Sequence, residues 1–245
     1  MGAPVEAMRL AWGVPRLEVY ERIGSTNDRA LELAADPSNA FATVIADEQT
    51  AGRGRRGAGW YSPPGAGLWM SVVLPWLRPA PHVTLLIGLA VAEALEQGAP
   101  GVRVWLKWPN DLQVGRRKLG GVLCETAGAA AVAGIGINLR PLKDPPANLL
   151  ARATALESEA GSTLAANMLA GFVIMSLRRR VASGSALDAD ALAELARRDA
   201  LAGTHVDTDE HGSGIACGID PDGALVLERP GGSRVRVVAG SVRPV

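Results

Sequence analysis

Glycines and arginines are concentrated in one segment of the sequence, residues 49–60, which reads QTAGRGRRGAGW. Its arginines are Arg53, Arg55 and Arg56. Guanidinium groups donate paired hydrogen bonds that fit phosphate and carboxylate oxygens, and glycines leave backbone N–H groups open to the same ligands. The segment therefore predicts that residues 50–67, called the arginine loop below, wrap an anionic ligand and close over it. A solvated loop, or one that binds RNA, is the alternative.

The same segment also matches the dinucleotide-binding fingerprint, with Gly52, Gly54 and Gly57 at the required spacing. In that fingerprint a helix starts at once and directs its N-terminus at the pyrophosphate. Here Pro63 and Pro64 follow, where a helix would have to continue. The sequence therefore excludes a dinucleotide-binding fold.

A second chemical signal is the placement of the lysines. The chain has three, and two of them, Lys107 and Lys118, lie within twelve residues, whereas the other basic side chains are arginines. A compact ammonium can approach a phosphate or carboxylate oxygen as a point charge, which a guanidinium cannot do in the same way. Two surface lysines beside a hairpin at residues 114–116 would explain the pattern equally well, so both interpretations stay open here.

The overall composition narrows the class of protein. Lysine and arginine number 25, as do aspartate and glutamate, which weighs against a protein that mainly coats nucleic acid or an anionic membrane. The first residues show no signal peptide, and the apolar stretches fall short of the ~20 residues that cross a bilayer. Cys124 and Cys217 stand far apart, as free thiols of a reducing compartment do. We expect a cytoplasmic protein without membrane contact.

The elements that must position these segments follow from periodicity. Residues 1–13 look like a loose leader. Alternating or apolar runs predict strands at 16–22, 41–46, 68–74, 102–108, 119–124 and 131–139. Helical spacing predicts helices after residue 25 and at 83–95, 163–181 and 188–200, with the arginines 178–180 as structural charges near a helix end. Beyond residue 203, short strands alternate with turns, as in a small barrel.

The fold class predicted is therefore α+β: a mixed β-sheet domain with flanking helices over residues 14–200, and a small β-barrel over residues 201–245. Four motifs stand in this frame: GSTN at 24–27, QTAGRGRRG at 49–57, KWPND at 107–111 with KLGG at 118–121, and GIGIN at 134–138. Together they resemble the catalytic region of biotin–protein ligases, also called biotin–[acetyl-CoA-carboxylase] ligases. The resemblance covers about residues 16–160, and over the barrel it is one of architecture. It implies that the mixed β-sheet domain is the catalytic domain and that the barrel is SH3-like.

The resemblance implies a two-step reaction. The biotin carboxylate attacks the α-phosphorus of ATP to give biotinyl-5′-AMP and pyrophosphate, and a lysine of a biotin carboxyl carrier protein then attacks the mixed anhydride. Bringing two anions together calls for concentrated positive charge, which Arg53, Arg55, Lys118 and Mg²⁺ would supply. A protein nucleophile is not needed, and the three histidines lie outside every motif.

The resemblance also implies residue roles. The predicted biotin-binding residues are Ser25, Thr26, Asn27, Gln49, Gly52, Arg53, Gly54, Arg55, Trp60, Lys118, Gly121 and Gly134. The predicted nucleotide-binding residues are Arg53, Arg55, Arg56, Lys107, Asn110 and Asn138, and the predicted catalytic residues are Arg55, Lys118 and Asp111. Hydroxyls and amides suit the neutral ureido ring, although Ser25 or Thr26 could also simply cap a helix. Asp111 would either help to deprotonate the incoming lysine or orient Lys118. No set of protein metal ligands is predicted.

This sequence departs from the family pattern in two respects. About fifteen residues precede the first strand, too few for the DNA-binding domain that some members carry, so we expect no specific DNA binding. Residues 151–156 lack the aromatic side chain that often lies near the adenine. A homodimer is possible. The alternative functions are a lipoate or octanoate ligase or transferase of the same fold, and a nucleic-acid-binding module built on the arginine loop.

Overall fold

The computed structural model describes residues 4–74, 81–127, 130–181 and 186–245. The α-helices are α1 (Val5–Trp12), α2 (Thr26–Leu33), α3 (Pro81–Gly98), α4 (Ala147–Leu150), α5 (Leu156–Ala160), α6 (Ala166–Val181) and α7 (Ala189–Arg198). The strands are β1 (Leu17–Ile23), β2 (Thr43–Gln49), β3 (Gly67–Leu74), β4 (Trp105–Lys107), β5 (Asp111–Val114), β6 (Arg117–Ala127), β7 (Ala130–Asn138), β8 (His205–Thr208), β9 (Gly212–Ile219), β10 (Leu225–Glu228), β11 (Arg234–Val237) and β12 (Val242–Pro244). The predicted strands and helices from residue 16 onward are thus found, with shifted ends; the strand expected at 102–108 shortens to β4.

Strands β1–β7 form one mixed sheet in the order β1-β2-β3-β7-β6-β5-β4, with β1 and β2 parallel and the other neighbours antiparallel. Side chains alternate between its two faces. On one face Val44, Val73 and Val132 pack against α2. The other face packs against α3 and α6 in the main core. The sheet is therefore covered on both sides, which explains why β3 is buried along its whole length.

The last five strands form a separate antiparallel sheet in the order β11-β10-β9-β8-β12. Its inward side chains, among them Val206, Leu225 and Leu227, join the main hydrophobic core. The indole Nε1 of Trp108, next to β4, donates a hydrogen bond of 2.9 Å to the carbonyl of Gly223. This sheet, called the C-terminal sheet below, is thus packed directly against the segment that carries the KWPND motif.

The prediction of a loose leader is wrong for the described part of that segment. Residues 5–12 form α1, which packs on α6 and β1. Met8 and Trp12 lie one turn apart on the same side; Met8 is buried, and Trp12 fills the space beside Gly171, where a Cβ would come within 2.7 Å of the indole nitrogen. Two anchoring side chains in eight residues are too few for a periodicity argument, so packing decides this helix. Residues 1–3 lie outside the described residues.

The arginine run of α6 has the structural role that was predicted. Arg179 and Arg180 both form ion pairs with Glu93 of α3. Arg178 donates to the carbonyl of Gly13, 2.6 Å away. Within the described residues, no helix has the length and hydropathy that crossing a bilayer would require.

Candidate active site

A cavity of about 1180 Å³ opens on the face of the larger sheet that carries α2. The cavity has room there because α2 covers only one end of the strands. Glycines on the same face form its floor. At Gly134 a Cβ would lie 2.4 Å from Asn27 Oδ1, and at Gly136 it would lie 2.6 Å from the Trp60 ring. Both positions therefore need glycine to let a side chain lie on the sheet. Gly121 is more open, since a Cβ there would meet its neighbours at 3.5 Å or more.

Neutral polar groups of Ser25, Thr26, Asn27 and Gln49 line one end of the cavity, and the buried Ser71 is bonded behind Thr26 and Asn27. These five residues are called the hydrogen-bonding pocket below. Gln49 Oε1 accepts from the backbone N–H of Thr26 at 2.9 Å and from its hydroxyl at 3.0 Å. Ser71 Oγ lies 2.7 Å from Thr26 Oγ1 and 2.6 Å from Asn27 Oδ1. All of these side chains except Gln49 are at least nine-tenths buried. The pocket is therefore preformed by bonds within the protein.

The position of Ser25 bears on whether these hydroxyls are mere helix caps. Ser25 occupies the N-cap position of α2, yet its side chain makes no capping hydrogen bond, and it lines the cavity. The Thr26 hydroxyl is engaged with Gln49 rather than with the first turn of the helix. Neither side chain caps the helix: the Ser25 hydroxyl remains available to the cavity, and the Thr26 hydroxyl contacts Gln49 and Ser71.

Arg53 lies beside this pocket. Its guanidinium forms ion pairs with Asp28 at 2.6 Å and with Glu125 at 3.0 Å. Glu125 also accepts from Asn27 Nδ2 at 2.5 Å. One carboxylate of β6 thus fixes both the amide of Asn27 and the first arginine of the arginine loop.

The opposite end of the cavity holds positive charge around the carboxylate of Asp111; Arg55, Lys107, Asp111 and Lys118 are called the charged end below. Lys118 Nζ lies 2.5 Å from Asp111 Oδ1 and 5.1 Å from the centre of the Trp60 ring. Burial lowers the pKa of Lys107, and Asp111 opposes that shift. Burial likewise lowers the pKa of the Arg55 guanidinium, again with Asp111 opposing. Three cations close to one carboxylate leave net positive charge for an anionic ligand.

Backbone contacts hold Lys118 in place. Its N–H donates to the carbonyl of Arg152 at 2.7 Å, and its own carbonyl accepts from Thr154 N at 2.8 Å. Asn138 Nδ2 donates to the Thr154 carbonyl at 3.0 Å, and Asn110 Nδ2 donates to the Val122 carbonyl at 2.9 Å. Both asparagines line the cavity, each with its amide nitrogen engaged by the protein.

The arginine loop is folded back on itself over the cavity. Trp60 N donates to the Gly52 carbonyl at 2.8 Å, Gly54 N donates to the Ala58 carbonyl at 2.7 Å, and a single 3-10 turn spans Arg55–Gly57. A Cβ at Gly52 would lie 2.5 Å from the Trp60 carbonyl, so the closure needs glycine there. The next helix of the described residues is α3, far beyond the loop, which confirms that this segment is not a dinucleotide-binding turn.

Two residues of the site were not predicted from the sequence. Ser71 is the one polar residue in the buried strand β3, and Glu125 follows an apolar run on β6. A lone hydroxyl or carboxylate within such a run signals a specific partner, because burying it unpaired is costly. The predicted residues of the hydrogen-bonding pocket and of the charged end all line one cavity, and Arg53, Arg56 and Trp60 line it as well. Gly52 lies in the loop above it.

Comparison of this chain with known proteins identifies its relatives. Residues 19–141 match the biotin/lipoate A/B protein ligase family, and residues 206–243 match the biotin protein ligase C terminal domain. The biotin--[acetyl-CoA-carboxylase] ligase of Mycobacterium tuberculosis is 32% identical over 94% of this chain and 89% of its own length. The bifunctional ligase/repressor BirA of Salmonella typhimurium is 37% identical over 85% of this chain and 68% of its own length. For BirA of Bacillus subtilis the match spans 47% of that protein.

Among solved structures, the biotin protein ligase of Aquifex aeolicus in complex with biotin and ATP superposes with a TM-score of 0.83 at 26% sequence identity. The match covers 94% of this chain and all of the other. Both parts of the fold, the larger sheet and the C-terminal sheet, are therefore shared with that ligase. The chain belongs to the biotin/lipoate A/B protein ligase family.

Proposed function

We propose that this chain activates biotin with ATP to biotinyl-5′-AMP and transfers the biotinyl group to a lysine of a biotin carboxyl carrier protein. The observation that carries the proposal is the division of one cavity into a neutral hydrogen-bonding pocket and a charged end. Biotin has a neutral ureido ring at one end and a carboxylate at the other. The cavity is polarised in the same sense as this substrate.

Donor and acceptor counting in the hydrogen-bonding pocket supports a ureido ring. The hydroxyls of Thr26 and Ser71 have two protons for three contacts, which join Thr26 Oγ1 to Gln49 Oε1, Ser71 Oγ to Thr26 Oγ1 and Ser71 Oγ to Asn27 Oδ1. These oxygens therefore keep acceptor capacity that a ring N–H of biotin can use, and the Ser25 hydroxyl can donate to the ureido carbonyl.

At the charged end the first step joins two anions. A carboxylate oxygen of biotin forms a bond to the α-phosphorus of ATP, the bond from that phosphorus to the bridging oxygen breaks, and pyrophosphate leaves. Arg55 and Lys118 lower the repulsion between carboxylate and phosphate, and they are already oriented before the ligand arrives. Arg53 belongs to the pocket side in this scheme, because Asp28 and Glu125 neutralise it.

Magnesium fits this site as a companion of the nucleotide. The described residues contain no group of three or more His, Cys, Asp or Glu side chains that could hold a metal ion. Mg²⁺ on nucleotides needs few protein ligands, commonly one or two carboxylates together with phosphates and water. Asp111, the carboxylate of the charged end, would hold it, and the ion would neutralise phosphate charge there.

In the second step the carrier lysine attacks the acyl carbon of the adenylate, AMP leaves, and the amine loses one proton. Asp111 at this end can accept that proton, and its contact with Lys118 also orients the ammonium. The arginine loop, folded over the cavity, keeps water from the anhydride. The carrier is defined here only by its chemistry: it is a protein with an exposed lysine in a biotin-accepting domain.

A lipoate or octanoate substrate fits the cavity less well. An alkyl chain or a dithiolane ring in the hydrogen-bonding pocket would leave the polar side chains of Ser25 and Asn27, which line the cavity, without ligand partners. Sites built to hydrogen-bond a polar group discriminate strongly against analogues that lack it.

The proposal is tested by incubating the purified chain with ATP, Mg²⁺ and biotin and measuring pyrophosphate, then adding a biotin carboxyl carrier domain and measuring its intact mass. We expect release of pyrophosphate and one added biotinyl group. Lipoate in place of biotin should give neither product. Equal activity with lipoate, or no pyrophosphate with biotin, would reject the proposal.

A further inference from the structure

The arginine loop is attached to the C-terminal sheet at the rim of the cavity. Arg55 NH1 donates to the Gly240 carbonyl at 3.3 Å. Arg56 forms an ion pair with Asp209, and its NH1 also donates to Ser241 Oγ at 3.0 Å. The loop therefore contacts the turn after β8 and the turn before β12, more than 150 residues away in sequence.

Asp209 is the centre of this contact. Besides Arg56, it accepts from the backbone N–H of Ser241 at 3.2 Å and lies 3.6 Å from the Arg243 guanidinium. Hydrogen bonding to Arg56 holds the pKa of Asp209 below its ordinary value, so this carboxylate is ionised at neutral pH. One side chain thus joins the two turns of the C-terminal sheet to the loop.

Arg56 is held in an unusual backbone conformation, with φ of 58°, in the 3-10 turn that it shares with Arg55. A non-glycine residue in this left-handed region is disfavoured unless its surroundings hold it there. The ion pair with Asp209 is such a restraint. Because Arg55 is the adjacent residue, the same restraint sets where the Arg55 guanidinium enters the charged end.

We infer that Asp209 is a positioning residue: it grips Arg56 and thereby holds Arg55 over the charged end and keeps the arginine loop closed on the nucleotide. The inference rests on the proposed function and gives the C-terminal sheet its part in it. Asp209 does not touch the substrate; it acts through Arg56. Loss of the grip weakens the hold on ATP and on the adenylate, and leaves the hydrogen-bonding pocket as it is.

The test compares Asp209→Ala and Asp209→Asn with the parental chain in the adenylation reaction. We expect the KM for ATP to rise about fivefold in Asp209→Ala, the upper end for an exposed ion pair, and less in Asp209→Asn, which keeps a hydrogen-bond acceptor. More biotinyl-AMP should escape into solution. The dissociation constant of biotin measured without ATP should not change, because no contact of Asp209 reaches the hydrogen-bonding pocket.

Two controls separate positioning from general stability. Glu210→Ala removes a neighbouring, exposed carboxylate that makes no ion pair within the described residues, and it should behave like the parental chain. In an Arg56→Ala background, Asp209→Ala should add nothing, because its partner is already gone. The inference would be overturned if the increases in the KM for ATP of the two single variants multiplied in the double variant. A parental KM for ATP in both Asp209 variants would overturn it as well. Should Asp209→Ala not fold, Asp209→Asn carries the same test.

The inference and the proposed function fail in different ways. If the parental chain makes no biotinyl-AMP, the proposed function is wrong. If the parental chain makes it and the Asp209 variants make and retain it equally well, only the role of Asp209 is wrong.

Discussion

The two ends of the cavity are built on different physical principles. The hydrogen-bonding pocket consists of neutral, mostly buried groups, and Thr26, Asn27, Gln49 and Ser71 are bonded to each other within the larger sheet and α2. The charged end relies on ions, and part of its structure, the turn at Arg55 and Arg56, is held from outside by the C-terminal sheet. Arg56 has 61% of its side chain exposed, so that contact is weakened by salt.

The contrast indicates that the two ends bind different parts of the ligands in different ways. A neutral ring gains little from long-range attraction, so its pocket must be rigid before the ligand arrives, and burial makes each hydrogen bond count. Phosphates are attracted over a distance, so their site can include a loop held by exposed pairs that yields when the ligand enters or leaves. Variants at the two ends should therefore fail differently, with biotin affinity lost at one end and turnover with ATP lost at the other.

The largest effect is expected at the charged end. Lys118→Ala and Arg55→Ala should each slow biotinyl-AMP formation about 100-fold or more, because each removes a preoriented charge from the reacting groups. Both variants should fold, and their affinity for biotin should fall much less than the rate, by about fivefold at most, since one partly exposed pair with the biotin carboxylate contributes about 1 kcal/mol or less. Pyrophosphate release measures the first quantity and calorimetry the second.

Lys143→Ala is the matched control, because Lys143 is the third lysine of the chain and is exposed outside the cavity. A Lys118→Ala enzyme that forms the adenylate at the parental rate would remove Lys118 from the reaction.

The next effect tests whether the pocket is rigid. In Gly134→Ala the new Cβ would lie 2.4 Å from Asn27 Oδ1 and must displace that amide. An overpacking cost of about 2 kcal/mol corresponds to a biotin dissociation constant raised about 30-fold. Calorimetric titration of biotin measures it. Gly24→Ala, where nothing lies within 4 Å of the new Cβ, is the control. Unchanged biotin affinity in Gly134→Ala would mean that the pocket adapts.

A smaller effect is expected behind the pocket. Glu125→Ala removes the acceptor that holds Asn27 and Arg53, and we expect the KM for biotin to rise about tenfold with kcat little changed, the scale of one hydrogen bond to a charged group. Glu125→Gln should recover most of this loss, because its amide oxygen still accepts. Steady-state kinetics with varied biotin give both constants. A fall in kcat rather than a rise in KM would place Glu125 with the charged end.

The smallest effect concerns pH. Burial lowers the pKa of Lys107 from its ordinary value near 10.5, so its charge is lost at a lower pH than that of an exposed lysine. As pH rises through the lowered pKa, kcat/KM for ATP should fall about threefold, the scale of one partly exposed charge pair. Lys107→Arg should abolish this alkaline fall, because a guanidinium stays protonated. A pH profile that is the same in both proteins would show that the charge of Lys107 is not used.

Stability should change in the opposite direction over the same window. The unfolded chain keeps the Lys107 proton up to its ordinary pKa, so between the lowered and the ordinary value the unfolded state binds more protons. The free energy of unfolding therefore rises with pH there. Denaturant titrations at several alkaline pH values, compared with Lys107→Arg, measure this contribution.

Much of the fold and of the site could be read from local patterns. Apolar periodicity is enough for a long buried strand such as β3 or a long helix such as α3, because many residues repeat the same signal. The glycines and arginines of residues 52–57 likewise indicated anion chemistry through their residue types, whereas the placement of Lys107 and Lys118 fitted two surface lysines equally well. The short helix α1 carried two anchoring side chains and was missed, since its stability comes from Gly171 and α6 rather than from its own sequence.

The linear sequence determined which functional groups the protein has for binding a ligand. These are hydroxyls and amides near residue 25, guanidinium groups near residue 55 and ammonium groups near residue 110. The tertiary structure alone decided which of them meet. Ser71 and Glu125 complete the pocket because β3 and β6, on either side of β7, bring them to one face of the sheet. Asp209 reaches Arg56 because the C-terminal sheet packs beside the loop. Pairings of this kind depend on register and packing across 40 to 150 residues, which no local pattern encodes.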